Sequence, residues 1–342
     1  MTSPHFKPLL AASPWRVKDN LSVEQKMQIL SGLRYPVFAS PKFDGIRATT
    51  TEGVPDPGKS SIPVCRSLLP IPNNYIRGLL AELPPGYDGE ILTYDPPTLF
   101  DGKIPEITIA TKPKDFNGVQ SDVMTEGGRP NFRFLIFDDF DFELRTNPFV
   151  DRQGYLAVAN LPWYCIRLMS EVCWNAQELW DYCERCLATG YEGVCFRTPE
   201  SPAWKITSND GRSSMREQWL VKMKVFERAE AMIIGAYEEM ANNNPITLGL
   251  KGNAERSSHK ANMSGKGTLG GFRVRDLETG VEFNVGGGYD RTQRENFWKV
   301  WSIAPNQLMG RILQYVHQPH GAKEAPRIAI FTGFRDRRDM VI

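Results

Sequence analysis

Ser40-Pro41-Lys42-Phe43-Asp44-Gly45-Ile46-Arg47-Ala48 decides how the rest of the chain is read, because it presents one amine in surroundings that can make it a nucleophile. A lysine with a pKa near 10.4 is neutral in only about 4 of 10,000 molecules at pH 7, so attack on phosphorus needs desolvation or neighbouring cations to lower that value. The preceding PVFAS reads as a short apolar strand ended by Pro41, and Asp44-Gly45 reads as a turn. Lys42 is therefore expected at the rim of a sheet, with Arg47 returning on the next strand. Taken alone, a lysine beside a turn is ordinary surface chemistry.

The chain has 342 residues, 41% apolar and 24% charged, a size and balance that suit two globular domains rather than one, and not disorder. No apolar run approaches the roughly 18 residues of a membrane helix, and the start, MTSPHFKPLL, lacks a charged segment followed by an apolar one, so neither a membrane span nor a signal peptide is expected. The six cysteines include a lone CxxC, Cys183 and Cys186, in a helix-like stretch without a second pair at zinc spacing. They are expected to be reduced and mostly buried, in a cytoplasmic protein. A net charge of +1 excludes indiscriminate polyanion binding but leaves room for a local patch. From Ala241 to Arg275 there are six cations against one anion, Glu255, in a stretch rich in Asn, Gly and Ser; by itself this reads as a solvated loop.

Upstream of Lys42, Ser22 and Gln25 signal a helix start, Val23, Met27 and Leu30 its apolar face, and Gly32 its end. Downstream, GYDGEILTYD is expected to turn at Asp88-Gly89 and present Glu90 at a strand start, with Ile91 and Thr93 sharing a face. NFRFLIFDDFD reads as a buried strand with Phe137 near its end. A helix from Asn175 to Gly190 is expected to bury Ala176, Leu179, Trp180, Cys183 and Leu187. YEGVCFR then reads as a strand with Glu192 at its entrance. In WLVKMKVF, period two sets Val221, Met223 and Val225 on one face and Lys222 with Lys224 on the other, whereas a helix would turn the two lysines about 200° apart. Two cations on one face of an apolar strand are costly to bury unless an anion meets them. Beyond Arg228, short strands (AMIIGAY, GGFRVRD, VEFNVGG, RIAIFTG) alternate with turns, and one helix opens at Asp290 and buries Phe297 and Trp301; the spacing suits a small barrel.

Lys-x-Asp-Gly-x-Arg resembles the active-site signature of the covalent nucleotidyltransferases, which comprise ATP-dependent DNA ligases, RNA ligases and mRNA capping enzymes. The family's further motifs recur here in order. The resemblance implies Lys42 as the AMP-accepting nucleophile, Ser40 and Phe137 against the purine (with Phe134 as the alternative ring), Arg47 on the nucleotide, Glu90 on a ribose hydroxyl, Glu192 on Mg²⁺ (or Mn²⁺), and Lys222 with Lys224 on the α-phosphate, where their positive field helps keep Lys42 deprotonated. Arg66, Lys205 and Arg212 match positions that touch the nicked strand. FTGFRDRRDM resembles the last ligase motif, with Arg335 and Asp339 in matching places; the basic residue often found next is Met340 here. ERSSHKAN resembles the latch of small algal-virus ligases, which implies DNA contacts from Arg256, Lys260 and Lys266.

The implied fold is α+β, an ATP-grasp-like nucleotidyltransferase (adenylation) domain of antiparallel sheets and helices over residues 1–228, then an OB-fold β-barrel over 229–342 with a basic insertion at about 241–267. The implied activity is that of a small, viral-type ATP-dependent DNA ligase, sealing nicks in duplex DNA as a monomer in replication, repair or recombination. ATP rather than NAD follows from the lack of an extra domain before the lysine motif and of a four-cysteine module. A capping-type guanylyltransferase, which usually has Asp-Gly where Glu192-Gly193 stands, an RNA ligase, and a non-catalytic OB-fold nucleic-acid binder are the alternatives.

Overall fold

SPKFDGIRA joins two sheets. In the computed structural model, which describes residues 8–15, 21–52, 56–96, 106–141, 144, 146–205, 212–224, 227–248, 254–257, 259–318 and 325–335, Lys42 is the last residue of one strand and Arg47 the second residue of the next. The chain divides into two compact units: Met1–Pro14, Val23–Lys224 and Gly249–Asn253 form the first, and Trp15–Ser22, Val225–Leu248 and Ala254–Ile342 the second. The cut expected after Arg228 falls two residues into a strand of the second unit.

In chain order the first unit comprises α1 (Val23–Ser31), β1 (Val37–Lys42), β2 (Ile46–Thr51), β3 (Ile62–Cys65), α2 (Asn74–Leu80), β4 (Tyr87–Tyr94), α3 (Phe116–Met124), β5 (Asn131–Asp139), α4 (Phe149–Val158), β6 (Cys165–Arg167), β7 (Glu171–Cys173), α5 (Ala176–Ala188), β8 (Gly193–Arg197) and β9 (Val221–Lys224). One sheet has the order β7-β1-β8-β9, all antiparallel; the other runs β3-β2-β4-β5-β6. The expected antiparallel pattern is broken by β6, which pairs with β5 in parallel, the route between them passing through α4. Pro41 does not end β1. Beyond Ala39 that strand is paired with β8 alone, so the missing proline N–H is tolerated on the open side.

Ile46, Ile76, Leu80, Ile91, Phe132 and Phe134 pack one core beneath the second sheet, and Phe43, Leu92, Leu135 and Leu168 a smaller one on its other face. Helix α1 buries Leu30, but Val23, expected on the same apolar face, is 52% exposed. Asn175 caps α5 as expected, yet Tyr182 and Cys186 are buried where Trp180 and Leu187 were expected; those two are half-buried, the buried stripe being rotated toward Tyr182. The cysteines are free thiols, Cys65, Cys173, Cys183 and Cys186 buried and the other two half-buried. Among the described residues no helix is long and apolar enough to cross a membrane.

The second unit contains β10 (Glu227–Asn242), β11 (Ile246–Leu248), β12 (Ala254–Arg256), a 3₁₀ turn (Lys260–Asn262), β13 (Met263–Asp276), β14 (Glu282–Val285), α6 (Arg291–Ile303), β15 (Ile312–Gln318) and β16 (Arg327–Phe334). Its sheet order is β14-β13-β10-β15-β16, and a parallel bridge between Gly287 and Ile330 brings the two edge strands together. AMIIGAY and GGFRVRD are only parts of a long ribbon that pairs from Ala231–Asp276 out to Asn242–Met263 through several bulges. Strand β15 was not anticipated, although Leu313 and Tyr315 alternate inward. Helix α6 has the Asp290/Gln293 capping box, but Phe297 and Trp301 are half-buried and none of its residues is fully buried, because it lies against the sheet's surface. The expected loop insertion contains its own hairpin, β11 with β12.

Candidate active site

A cleft of about 630 Å³ in the first unit is lined from both sheets, and ten of the expected residues line it: Ser40, Lys42, Arg47, Arg66, Glu90, Phe137, Glu192, Arg212, Lys222 and Lys224. Strand register explains the assembly. Lys42 pairs with Gly193, and Gly193 with Lys224. Glu192, one residue before β8, donates its N–H to the Lys42 carbonyl (3.1 Å) and places its carboxylate between the two ammonium groups, 2.5 Å from Lys42 Nζ and bonded to Lys224 Nζ. Such proximity needs glycine at 193, where φ is +144° and a Cβ would fall on the Met223 carbonyl.

Burial raises the Glu192 carboxyl, but Lys42 and Lys224 outweigh it and hold the group down to about 2. For Lys42 burial works downward, but Glu192, Cys195 and Glu90 hold its ammonium above the usual range. This corrects the expected electrostatics: in this state the carboxylate next to the amine, rather than the field of Lys222 and Lys224, decides the proton. Lys222 is itself lowered, by burial and by Lys224 and Lys42, and among the described residues no carboxylate is paired with it.

The second sheet supplies the other wall. Glu90 is the fourth residue of β4, not its first, because pairing with β5 begins at Tyr87. Its carboxylate accepts the Gly45 N–H (3.1 Å), and a Cβ at Gly45 would strike the Ile91 carbonyl and the Glu90 side chain, so the turn needs glycine for close approach. Burial pushes the Glu90 carboxyl up to about 7 against the opposing pull of Lys42 and Arg47. Arg47 is bidentate on Asp88 (2.9 and 2.5 Å). Phe137 lines the cleft, with the Arg47 and Arg197 guanidinium carbons 5.6 and 5.8 Å from its ring centre; Phe134 is fully buried in the core.

Beneath Phe137, Asp138 is 1% exposed and held by Arg152 (2.8 and 3.0 Å) and Arg197, which keep its carboxyl below the usual range against burial. Sequence reasoning gave no role to Asp88, Arg152 or Arg197. A charge inside FLIFDDF and another closing GVCFR were signals that an anion and a cation meet in the interior; Arg152 carried none, lying in an ordinary amphipathic helix.

The remaining expected residues are not part of that lining. Lys205 is bound to Glu217 (2.8 Å) and the Arg212 carbonyl (3.1 Å). In the second unit Arg256 donates to the Asn244 carbonyl, Lys260 stands exposed in the 3₁₀ turn, Lys266 lies in β13 paired with Glu239 (2.6 Å), and Arg335 pairs with Glu230. Lys251, Asp339 and Met340 lie outside the described residues. Among the described residues no group of three or more His, Cys, Asp or Glu could hold a metal ion.

Residues 262–335 match the family of the DNA ligase OB-like domain. No curated protein matches the chain significantly. Among solved structures, a Chlorella virus DNA ligase-adenylate is 26% identical, covering 98% of this chain and 99% of that one, with a TM-score of 0.45. A Lig E DNA ligase is 18% identical over 96% of this chain and 99% of that one, TM-score 0.59, and a ligase designated Pmar-Lig is 17% identical over 97% and 68%, TM-score 0.61. The last two likenesses show the fold.

The cleft sets a lysine, its carboxylate and a second lysine together on one sheet, Lys42, Glu192 and Lys224. Residues 262–335 of the second unit carry the likeness to the DNA ligase OB-like domain, and the fold is like that of the Lig E DNA ligase.

Proposed function

We propose that the protein seals nicks in duplex DNA with ATP, with the adenylation chemistry in the residues up to about 228 and the OB-like domain beyond. The observation that carries this reading is Glu192 placed between Lys42 and Lys224 at the mouth of a cleft that also holds an aromatic ring. In the first step the ammonium of Lys42 gives its proton to water and the neutral Nζ attacks the α-phosphorus of ATP; the N–P bond forms as the bond to pyrophosphate breaks, and a second proton passes from nitrogen to water or the departing pyrophosphate. Any competition for the Glu192 carboxylate frees Lys42 from its counter-charge, after which burial and the neighbouring Lys222 and Lys224 favour the neutral amine. Lys222 and Lys224 take charge on the α-phosphate, Glu90 a ribose hydroxyl, Ser40 and Phe137 the purine, and Arg47 and Arg335 the nucleotide. AMP then passes to the 5′-phosphate of the nick, and the 3′-hydroxyl displaces it. All three steps are phosphoryl transfers, in which the protein contributes positioning and charge neutralisation.

Magnesium, or manganese, fits this cleft in one way. Such hard ions are held by one or two carboxylates together with substrate phosphates; of the cleft's carboxylates, Asp44, Glu90 and Glu192, the last stands beside the reacting amine and is the one that would hold the ion. When bound, the ion withdraws charge from the reacting phosphate oxygens. Arg66 and Arg212 at the cleft, with Lys205 nearby, supply cations for the nicked strand; burial and the proximity of Arg47 and Arg212 lower Arg66. Arg256, Lys260 and Lys266 supply the second unit's DNA contacts. The enzyme works as a monomer, and its free thiols suit the cytoplasm.

The test is a nicked duplex with a 5′-phosphate, incubated with ATP and magnesium and resolved on a denaturing gel. A sealed strand with ATP, and none with GTP, is expected; guanylylation of the protein from GTP without any sealing would assign it to capping.

A further inference from the structure

Phe137 has no opposite number in β4. Asp88 pairs with Asp138 and Gly89 with Ile136, so Phe137 is the extra residue of a bulge. The ladder to β6 also ends at Ile136. Bulges next to active sites re-aim a side chain, and the freed backbone groups then need other partners. Here the Phe137 carbonyl accepts from Gln153 Nε2 (2.9 Å), and Gln153 Oε1 accepts the Ser170 N–H (3.2 Å). Phe137 and Ser170 both line the cleft, whereas Gln153, on α4, does not; it is 4% exposed. Arg152 beside it grips Asp138, the residue after the bulge. One buried amide thus ties the bulge to Ser170, a second residue of the cleft lining.

We propose that Gln153 is a positioning residue for the nucleobase: it fixes the bulge that aims the Phe137 ring and thereby sets affinity for the base, but not for the phosphates. This rests on the reading of the cleft as a nucleotide site. A buried amide that merely stabilised the fold would act on every ligand alike.

Isothermal titration of ATP and of inorganic tripolyphosphate, on the full chain, separates the two roles. Gln153→Met keeps length and removes both hydrogen bonds; should it fail to fold, Gln153→Asn, which withdraws the amide by one methylene, replaces it. Stacking of a base on an aromatic ring contributes about 1–3 kcal/mol, so a misaimed ring should weaken ATP about tenfold. Tripolyphosphate should bind within about twofold of wild type, since only the base contact is disturbed. In a Phe137→Leu background the same change should have little further effect on ATP, because the two residues act through one contact. Tyr164→Phe, which removes a bond to the Leu79 carbonyl (2.9 Å), should lower the melting temperature and leave both affinities unchanged. Equal weakening of both ligands, or effects of Gln153→Met and Phe137→Leu that simply add, would overturn the inference. The wild-type adduct assay judges the parent reading separately: base-selective weakening in a protein that never forms a lysyl adduct keeps Gln153 in this role and removes the ligase, while adduct formation with a base-blind Gln153 effect does the reverse.

Discussion

Lys42 and Lys224 face one another across Gly193 and share one carboxylate, that of Glu192. Two cations this close are tolerated because the anion between them is largely buried, its side chain 8% exposed. Removing either part of that arrangement has a consequence that differs from ordinary loss of a surface charge.

Gly193→Ala tests the geometry. With φ at +144° and Met223's carbonyl in the way, an added methyl strains the backbone and pushes β9 from β8. A loss of about 2 kcal/mol or more is expected in urea unfolding, with adenylate transfer to Lys42 falling further than stability alone explains. Gly190→Ala, which also has positive φ but open space around it, should cost only the backbone part and leave transfer intact.

Glu90 gives a pH dependence. Its folded carboxyl titrates near 7 against an ordinary value of 4.5, so it favours the fold below about pH 4.5 and that contribution is lost as pH rises through 7. Glu90→Gln should therefore raise the melting temperature of the nucleotide-free protein at pH 8 by several degrees, corresponding to at most about 3 kcal/mol, and leave it unchanged at pH 4.5. ATP affinity should fall. A scanning-fluorimetry series across pH reads the first effect, and equal melting shifts at both ends of the series would refute it.

The individual strands of the site were legible in the sequence because their apolar runs are bounded by turn residues and period two sets Lys222 and Lys224 on one face. What the sequence could not carry was pairing. Nothing in WLVKMKVF or YEGVCFR says that β8 lies between β1 and β9, and that order alone puts Glu192 on Lys42 and raises the lysine rather than lowering it. Arg152 and Gln153 were invisible for the same reason: a polar pair in an amphipathic helix reads as a solvated face until the helix is seen with those residues inward. In the second unit the bulged β10–β13 ribbon interrupts strict alternation, so only the part next to the Ala231–Asp276 pair was recognisable.

Lys222 should matter far more than a lysine held at the surface. Lys222→Met is expected to slow adenylate formation about a hundredfold, the scale for removing one preorganised group at a reacting oxyanion. Lys59→Met, which breaks bonds to Glu82 and the Gly78 carbonyl, should leave the rate within about twofold, as for an exposed ion pair. Single-turnover kinetics with labelled ATP compares them; matching small losses would make Lys222 a solvated edge residue.

The basic excursion between β10 and β13 is best removed where its base closes. Asn242 pairs with Met263, and residues 263 to 266 belong to β13, so a cut through 266 would damage the sheet. Replacing residues 243–262 by a two-residue Asn-Gly turn removes Lys251, Arg256 and Lys260. Nick affinity across a salt series should then lose about 3 from the slope of log K against log salt, with adduct formation preserved. An unchanged slope would make the excursion a structural hairpin.

Whether Lys42 is the nucleophile is read by tandem mass spectrometry of peptides from protein incubated with ATP and magnesium. A single adenylate on the Lys42 side chain, absent in Lys42→Arg because a guanidinium stays protonated, is the predicted result. An adenylate on another residue, persistence of the adduct in Lys42→Arg, or a guanylate formed from GTP alone would contradict it.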